Sequence, residues 1–309
     1  MSIITRRNFI KSTAVLGVGL TIDGVSASTQ STDIFSVSPK ETRSTDKHHW
    51  SVEETKAQAL RYLQQQGYSR VAPASIISGL VYNDGLNYDE AVDSFSDDQA
   101  QFVFQLSSRV EDIIHKSKPG TLPIFTILVF SWAPDADFTS PTKLLFDYLI
   151  GHVGLDPSRL RITTTELAEP LFPTFEFYGV YLAQIRLRSL QEARDSGDGS
   201  GFFAPHGHPD SPAYPTYSVE YVLSAETQEK RKSGDFDTSI HEIELADIAL
   251  DKNPSFTAGG IGLDRVLMAK NDKVMSWESY LPVFKHAVLA AAQQEQKPLP
   301  KGYKSILGL

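Results

Sequence analysis

The stretch TAGGIGLDRV, residues 257–266, is the most informative part of the chain. Its glycines allow a strand to end with close backbone approach, and a helix is predicted to begin at Gly262. Arg265 then lies in the first turn of that helix, where its planar guanidinium can meet an anion such as a phosphate. The alternative is a glycine-rich turn with an exposed arginine, because the Gly260-x-Gly262 pair is a weak signal by itself.

The composition is that of an ordinary globular protein: of 309 residues, 41% are hydrophobic and 22% charged. The absence of cysteine excludes disulfides, thiol nucleophiles, iron–sulfur clusters and cysteine-based zinc sites. A formal charge of −9 without a basic block disfavours nucleic-acid binding. No apolar stretch of about 18 residues occurs, so no membrane span is predicted.

The first 27 residues have the pattern of an export signal. Arg6 and Arg7 precede an apolar run over 14–20, and a small-residue cleavage site follows at 25–27. The paired arginines resemble the twin-arginine type of signal, which a dedicated export machinery recognises. We therefore expect a periplasmic or extracellular mature protein. The alternative is a frayed N-terminus with a chance arginine pair.

The remaining chain is predicted as a tether at 28–47 and one domain at 48–309. Helices are expected at 51–66, 140–153, from Gly262 towards Lys270 and at 276–294, and strands at 67–73, 122–132, 159–165, 175–187, 217–223 and 241–250, with a loop at 195–201. Strands outnumber helices and do not alternate with them regularly. This pattern predicts an α+β fold, a mostly antiparallel sheet flanked by helices, and the glycine spacing does not fit a Rossmann fingerprint.

Several motifs together resemble the catalytic core of class II aminoacyl-tRNA synthetases. GIGLDR at 260–265 is similar to the third signature of that class, and QGYSRVAP at 66–73 resembles the first. The strand at 122–132 takes the place of the second signature. The alanine-specific type is the most similar, because its turn, loop and strand motifs have counterparts at 154–160, 212–220 and 244–247.

The resemblance implies ATP-dependent activation of an amino or carboxylic acid, in which the carboxylate attacks the α-phosphate and pyrophosphate leaves. Gly260, Gly262 and Arg265 would bind ATP, and Arg109 is the best candidate for the arginine of the second signature. Arg109 is otherwise interpreted as a solvent-exposed residue on a helix. Glu220 and Glu244 would hold Mg²⁺ beside the phosphates, or else belong to the polar face of a strand.

Three positions depart from the family pattern. The aspartate that holds the substrate amino group in the family is Ala258 here, its tryptophan is Ala246 and its asparagine is Asp247. Asp247 could therefore pair with a substrate ammonium in place of the missing aspartate, or be an ordinary strand residue. The two alanines could enlarge the pocket. Because nothing after residue 309 supplies tRNA-recognition or editing domains, we expect an acceptor other than tRNA.

The oligomeric state stays open, although class II cores are often dimers. Two other functions also stay open. The first is an exported, catalytically silent protein that binds a small ligand in the former synthetase pocket. The second is a metal-dependent hydrolase, because His206 and His208 with Asp210 form a legitimate set of ligands for a divalent metal.

Overall fold

The computed structural model describes residues 49–77, 102–110, 122–132, 138–197, 199–203, 213–224, 242–250, 257–300, 303–304 and 307. All of them lie within one unit, Pro39–Leu309. The predicted signal at 1–27 and the tether at 28–47 fall outside the described residues, and the predicted domain boundary at residue 48 stays a prediction.

Nine strands are present in these described ranges. They are β1 (Ser69–Arg70), β2 (Phe102–Val110), β3 (Ile124–Trp132), β4 (Leu160–Thr165), β5 (Ile185–Arg188), β6 (Phe202–Phe203), β7 (Tyr214–Val222), β8 (Glu242–Ala249) and β9 (Thr257–Gly262). Eight of them follow the order β1-β2-β3-β9-β8-β7-β4-β5, and β6 pairs with β7. The β1–β2 and β4–β5 pairs are parallel, and the remaining pairs are antiparallel.

The described α-helices are α1 (Val52–Gln65), α2 (Thr139–Phe146), α3 (Phe172–Phe177), α4 (Leu190–Ser196), α5 (Leu263–Asn271) and α6 (Trp277–Glu295). A π-helical turn, Asp147–His152, continues α2, and 3₁₀ turns cover Pro157–Arg159, Glu166–Leu171 and Leu182–Gln184. The predicted α+β fold, a mostly antiparallel sheet flanked by helices, is confirmed.

Helices α1, α3, α5 and α6 pack on one face of the sheet. Helix α5 packs on β3 and β8, α6 on β3, and α1 on α5. Phe175 of α3 meets Tyr217 of β7 with ring centroids 5.3 Å apart, and Tyr217 lies opposite Ile248 in the register. Side chains alternate between the two faces along a strand. The neighbours of Tyr217 and Ile248 in sequence therefore face away from the helices, apart from one irregularity described below.

Helix α5 is fixed by a buried carboxylate in its first turn. Asp264 is only 3% exposed; its Oδ1 accepts a hydrogen bond of 2.6 Å from the hydroxyl of Tyr280 in α6, and its Oδ2 accepts one from the amide of Thr126 in β3. Because the carboxylate accepts from both donors, it fixes β3, α5 and α6 relative to one another. The next residue, Arg265, is consequently presented from a fixed position.

Three local predictions were wrong. The strand predicted at 175–187 is helix α3, a 3₁₀ turn and the short strand β5, because Pro173 favours a first helical turn and Gly179, at φ 80°, ends the helix. The first two residues of the loop predicted at 195–201 belong instead to α4, a helix over 190–196 that was not predicted and that Ser189 caps. The interpretation that places Arg109 on a helix is also wrong, because the residue lies in β2. The remaining predicted strands and helices are confirmed within a few residues.

Candidate functional site

The candidate site lies on the sheet face opposite helices α1, α3, α5 and α6. Across five neighbouring strands the register pairs Arg186 with Thr163, Thr163 with Ser218, Ser218 with Asp247, and Asp247 with Gly260. Residues directly opposite each other in a sheet share a face. The five residues of this row therefore lie on one surface, although they come from distant parts of the chain.

A β-bulge adds a second row of acids to this surface. Glu220 lies opposite Glu244, whereas the residue before Glu220 lies opposite Ala246, so Leu245 is the extra residue. In a regular strand Glu244 and Asp247, three positions apart, would point to opposite faces. One inserted residue changes the phase, and both carboxyl groups reach the same face.

Glu220 is the most deeply buried glutamate of this face, at 6% exposure. The hydroxyl of Thr163 lies 3.1 Å from both of its carboxylate oxygens, and Nη1 of Arg186 lies 3.7 Å from Oε2. Arg186 also contacts Glu242 at 3.3 Å. Burial and then repulsion from Glu242 raise the pKa of Glu220 to about 7, against the opposing effects of Arg186 and Thr163.

Asp247 has a carboxyl oxygen without a partner. Its Oδ1 is sealed from solvent and accepts no hydrogen bond, although the side chain receives one from Ser218. Burial first, and then the charge of Glu244, raise the pKa of Asp247 well above its ordinary value, while Arg265 acts in the other direction. A buried acceptor without a donor is costly, and such groups are rare in native proteins.

Arg265 reaches the same surface from the first turn of α5. A Cβ atom on Gly262 would lie 3.4 Å from its Cδ, so the side chain folds back over that glycine. Its Nη1 donates a hydrogen bond of 2.9 Å to Oε1 of Glu244, and its guanidinium carbon lies 5.3 Å from the centre of the Phe125 ring. The cation is therefore held over the sheet at the end of β9.

The two consecutive glycines of β9 have different environments. A Cβ atom on Gly259 would clash with Ile248 and would lie 2.8 Å from Cζ of Phe130, on the helix-covered face. A Cβ atom on Gly260 would meet only Ile127, at 3.3 Å, on the opposite face. Gly260 thus leaves bare backbone beside Asp247, where a ligand can approach closely.

Not every predicted site residue joins this surface. Ala246 is buried in the hydrophobic core and pairs with Val219 and Ile261, on the face opposite Asp247. It cannot line a pocket beside Asp247, because adjacent residues of a strand face opposite sides of the sheet. Ala258 is placed in β9 opposite Ser131, and Arg109 in β2 opposite Phe125. His206 and His208 lie outside the described residues.

The predicted magnesium ligands do not fit the ion as they stand. Both oxygens of Glu220 accept a hydrogen bond from Thr163, and Oε1 of Glu244 holds Arg265. A carboxyl with a pKa of about 7 is also partly protonated at neutral pH. Within the described ranges no group of three or more His, Asp or Glu side chains is placed to hold a metal ion.

Sequence reasoning missed Thr163, Arg186, Ser218 and Glu242. Each lies on a strand where polar and apolar residues alternate, as in Ile185-Arg186-Leu187-Arg188. That alternation signals a polar face. It does not indicate which strands are neighbours, and the strand order is what brings these residues together.

Comparisons with known proteins give no family. No protein-family model matches the chain, and no curated protein matches it. Among solved structures, the chain is similar to PylSc, a pyrrolysyl tRNA synthetase of Desulfitobacterium hafniense, at 14% identity and a TM-score of 0.40. A further structure of pyrrolysyl-tRNA synthetase from the same organism gives 14% identity and a TM-score of 0.37. Each match covers 74% of this chain and 72% of the other.

Among the described residues, no helix is both long enough and apolar enough to cross a membrane.

Proposed function

We propose that this chain binds ATP and activates a small amino acid as its adenylate. One observation carries the proposal: Arg265 faces the same surface as Asp247, whose Oδ1 has no hydrogen-bond partner, and lies close enough to influence the ionisation of the aspartate. Gly260 leaves the backbone beside Asp247 without a side chain. An anion site and an ammonium site side by side suit a nucleotide and an amino acid.

The chemistry requires little more than positioning and charge. An oxygen of the amino-acid carboxylate forms a bond to the α-phosphorus of ATP, the bond from that phosphorus to the bridging oxygen breaks, and pyrophosphate leaves with the electron pair. Arg265 orients the phosphates and stabilises their charge, while Asp247 holds the substrate ammonium. We derive no step through a metal ion.

The acyl group then passes to an acceptor other than tRNA. The acidic chain, with a formal charge of −9, lacks the long-range attraction that nucleic-acid binding uses. The N-terminal signal supports the same proposal, because an exported protein does not meet tRNA.

One observation favours a second candidate function, a binding protein without catalysis. Arg265 already forms an ion pair of 2.9 Å with Glu244, and a nucleotide would have to compete with that carboxylate. A protein of this kind would take a small acid or amine in the same place and ignore ATP.

Calorimetry with Mg·ATP separates the two functions. For an activating enzyme, wild-type protein binds Mg·ATP, and Arg265→Ala weakens binding by about 1.5–3 kcal/mol, the loss expected for a hydrogen bond to a charged group. That corresponds to roughly a 10- to 150-fold rise in Kd. Arg265→Lys recovers only part of the loss, because a point charge lacks the guanidinium fork.

The matched control is Arg194→Ala, on the exposed side of α4, which leaves Mg·ATP binding unchanged. If wild-type protein ignores millimolar Mg·ATP but binds a small acid or amine, adenylation is wrong and the binding protein takes its place.

We also propose that the mature protein works outside the cytoplasm, as a substrate of the twin-arginine export machinery. The paired arginines, the apolar run and the small-residue site support this. Replacing Arg6 and Arg7 by lysine keeps the charge but removes the recognised side chains, so the precursor should remain in the cytoplasm. Cell fractionation followed by immunoblotting measures where the precursor and the processed chain are found. A normally processed chain outside the cytoplasm would contradict the proposal.

A further inference from the structure

Ser218 lies at the centre of the polar row on the site face. It is fully buried, at 0% exposure, and the register places it between Thr163 of β4 and Asp247 of β8. Residues directly opposite each other in a sheet have Cβ atoms roughly 4.5–5.5 Å apart. The hydroxyl of Ser218 is therefore beside the carboxyl group to which the proposed function assigns the substrate ammonium.

The backbone of Gly201 fixes the direction of the Ser218 hydroxyl. The amide of Gly201 donates a hydrogen bond of 3.1 Å to Oγ of Ser218, and its carbonyl accepts one of 3.0 Å from the amide of Thr216. Gly201 has a φ of 79°, a left-handed conformation that favours glycine. Because an amide can only donate, Oγ of Ser218 is the acceptor in this contact and keeps its own hydrogen for another partner.

The hydrogen of the Ser218 hydroxyl is directed to Asp247. On the other side of Ser218, the hydroxyl of Thr163 donates to Glu220 and accepts from Arg186 at 3.2 Å. Asp247 receives a hydrogen bond from Ser218, and its Oδ1 has no partner. The bond from Ser218 is therefore made to Oδ2, and it leaves Oδ1 for a ligand.

The charged groups around Asp247 oppose one another. Burial first, then Glu244 on the same strand and Glu220 of β7, raise the pKa of Asp247. The hydrogen bond from Ser218 and the charge of Arg265 in α5 lower that pKa. The residue of β9 opposite Asp247 is a glycine and contributes no charge. Ser218 is thus the neutral group of this set that favours the ionised carboxylate, which is the form that attracts an ammonium.

On the basis of the proposed function, we propose that Ser218 is a positioning residue for recognition of the substrate amino group. Held by Gly201, its hydroxyl donates to Oδ2 of Asp247 and leaves Oδ1 for the ammonium. Ser218 itself needs no contact with the substrate. The Gly201 amide, the Ser218 hydroxyl and the Asp247 carboxylate form one chain of hydrogen bonds, which connects the segment between α4 and β6 to the site.

Carbon-13 NMR of the aspartate side-chain carboxyl groups tests this assignment without a ligand. Asp247→Asn identifies the signal of Asp247 by its loss. We expect Ser218→Ala to raise the titration midpoint of that signal by about 1–2 pH units, the effect of losing a hydrogen bond to a charged group. Equal midpoints in the wild-type protein and Ser218→Ala overturn the proposal.

The matched control is Thr216→Val. It removes a hydroxyl without a hydrogen-bond partner, two residues before Ser218 on the same face of β7, and should leave the midpoint of Asp247 unchanged. Ser218→Cys serves if Ser218→Ala unfolds, because a thiol still accepts from Gly201 but is a weak donor. Its midpoint should lie above that of the wild-type protein, and an equal midpoint contradicts the donor role.

Calorimetry with L-alanine and with propionate, which lacks the amino group, connects this hydrogen bond to recognition. At pH 7 with saturating Mg·ATP, Ser218→Ala should reduce the preference for alanine over propionate at least about tenfold. A higher pH should restore the preference, because Asp247 then ionises without Ser218. The Kd of Mg·ATP should not change. A loss of preference that is the same at every pH would indicate a merely structural role and contradicts the proposal.

The two proposals fail in different ways. If the midpoint of Asp247 moves in Ser218→Ala but the wild-type protein does not prefer alanine to propionate, the proposed function is wrong and Ser218 still orients Asp247. If the wild-type protein prefers alanine and the midpoint does not move, activation stands and Ser218 is not a positioning residue.

Discussion

The buried carboxyl of Glu220 makes the stability of the domain depend on pH in a predictable direction. Its pKa is about 7 in the folded state against an ordinary value of 4.5. Below pH 4.5 the carboxyl group is protonated in both the folded and the unfolded state, so folding does not bury a charge at this position. As the pH rises from 4.5 through about 7, only the unfolded chain loses the proton, so the contribution of Glu220 to folding stability is lost over that range.

Replacing Glu220 by glutamine isolates this effect. Glutamine keeps the size of the side chain and an oxygen that can accept from Thr163, and Arg186 retains Glu242 at 3.3 Å. At roughly 1.4 kcal/mol per pH unit, the pKa difference corresponds to roughly 3 kcal/mol. As the pH rises from 4.5 to 8, the free energy of unfolding of Glu220→Gln should therefore increase by about that amount relative to that of the wild-type protein.

Urea unfolding at pH 5, 6, 7 and 8 measures the difference in the free energy of unfolding between the two proteins. Glu176→Gln removes the same charge from an exposed helical position and should leave that difference nearly constant. Parallel stability curves for wild type and Glu220→Gln across this range would refute the reasoning, because the burial of an ionised glutamate would then cost nothing.

Gly259→Ala should destabilise the domain by about 1–3 kcal/mol, because the new methyl group would clash with buried Ile248. The matched control is Gly151→Ala, because a Cβ atom at that position meets nothing within 4 Å. Equal urea midpoints for the two variants would contradict the packing argument. The double variant His206→Ala/His208→Ala should leave metal content and melting temperature unchanged, because a Pro/Gly loop rarely fixes metal ligands by itself. Loss of a stoichiometric divalent ion, measured by elemental analysis, would instead favour the metal-dependent hydrolase.

Elements with local signals could be predicted from the sequence. Ser51 caps α1 by accepting from the amide of Glu54, as its position before an amphipathic stretch indicates. The apolar run that begins at Leu122 becomes the buried strand β3, and the glycines before Arg265 lead into α5 as predicted. In each case the information lies within a few residues of the element itself.

The candidate site depended on information that is not local. Glu220, Glu244 and Asp247 were identified individually, but the cation beside Glu220 was not, because Arg186 belongs to a four-residue strand that follows a misassigned helix. Ala246 was expected in the pocket because the resemblance places the family's tryptophan at that position. Strict alternation would give those two residues opposite faces, and only the register with β7 establishes which of them faces the ligand.

The extra residue in β8 also makes this strand tolerant of one particular deletion. Without Leu245, Glu244 and Asp247 would lie two positions apart, and strict alternation would keep both on the site face, opposite their present partners in β7. The deletion would remove only a buried leucine and the local bend of the bulge. The loss of one codon from a central strand, which is ordinarily expected to invert a face, would here leave the charge of the surface unchanged.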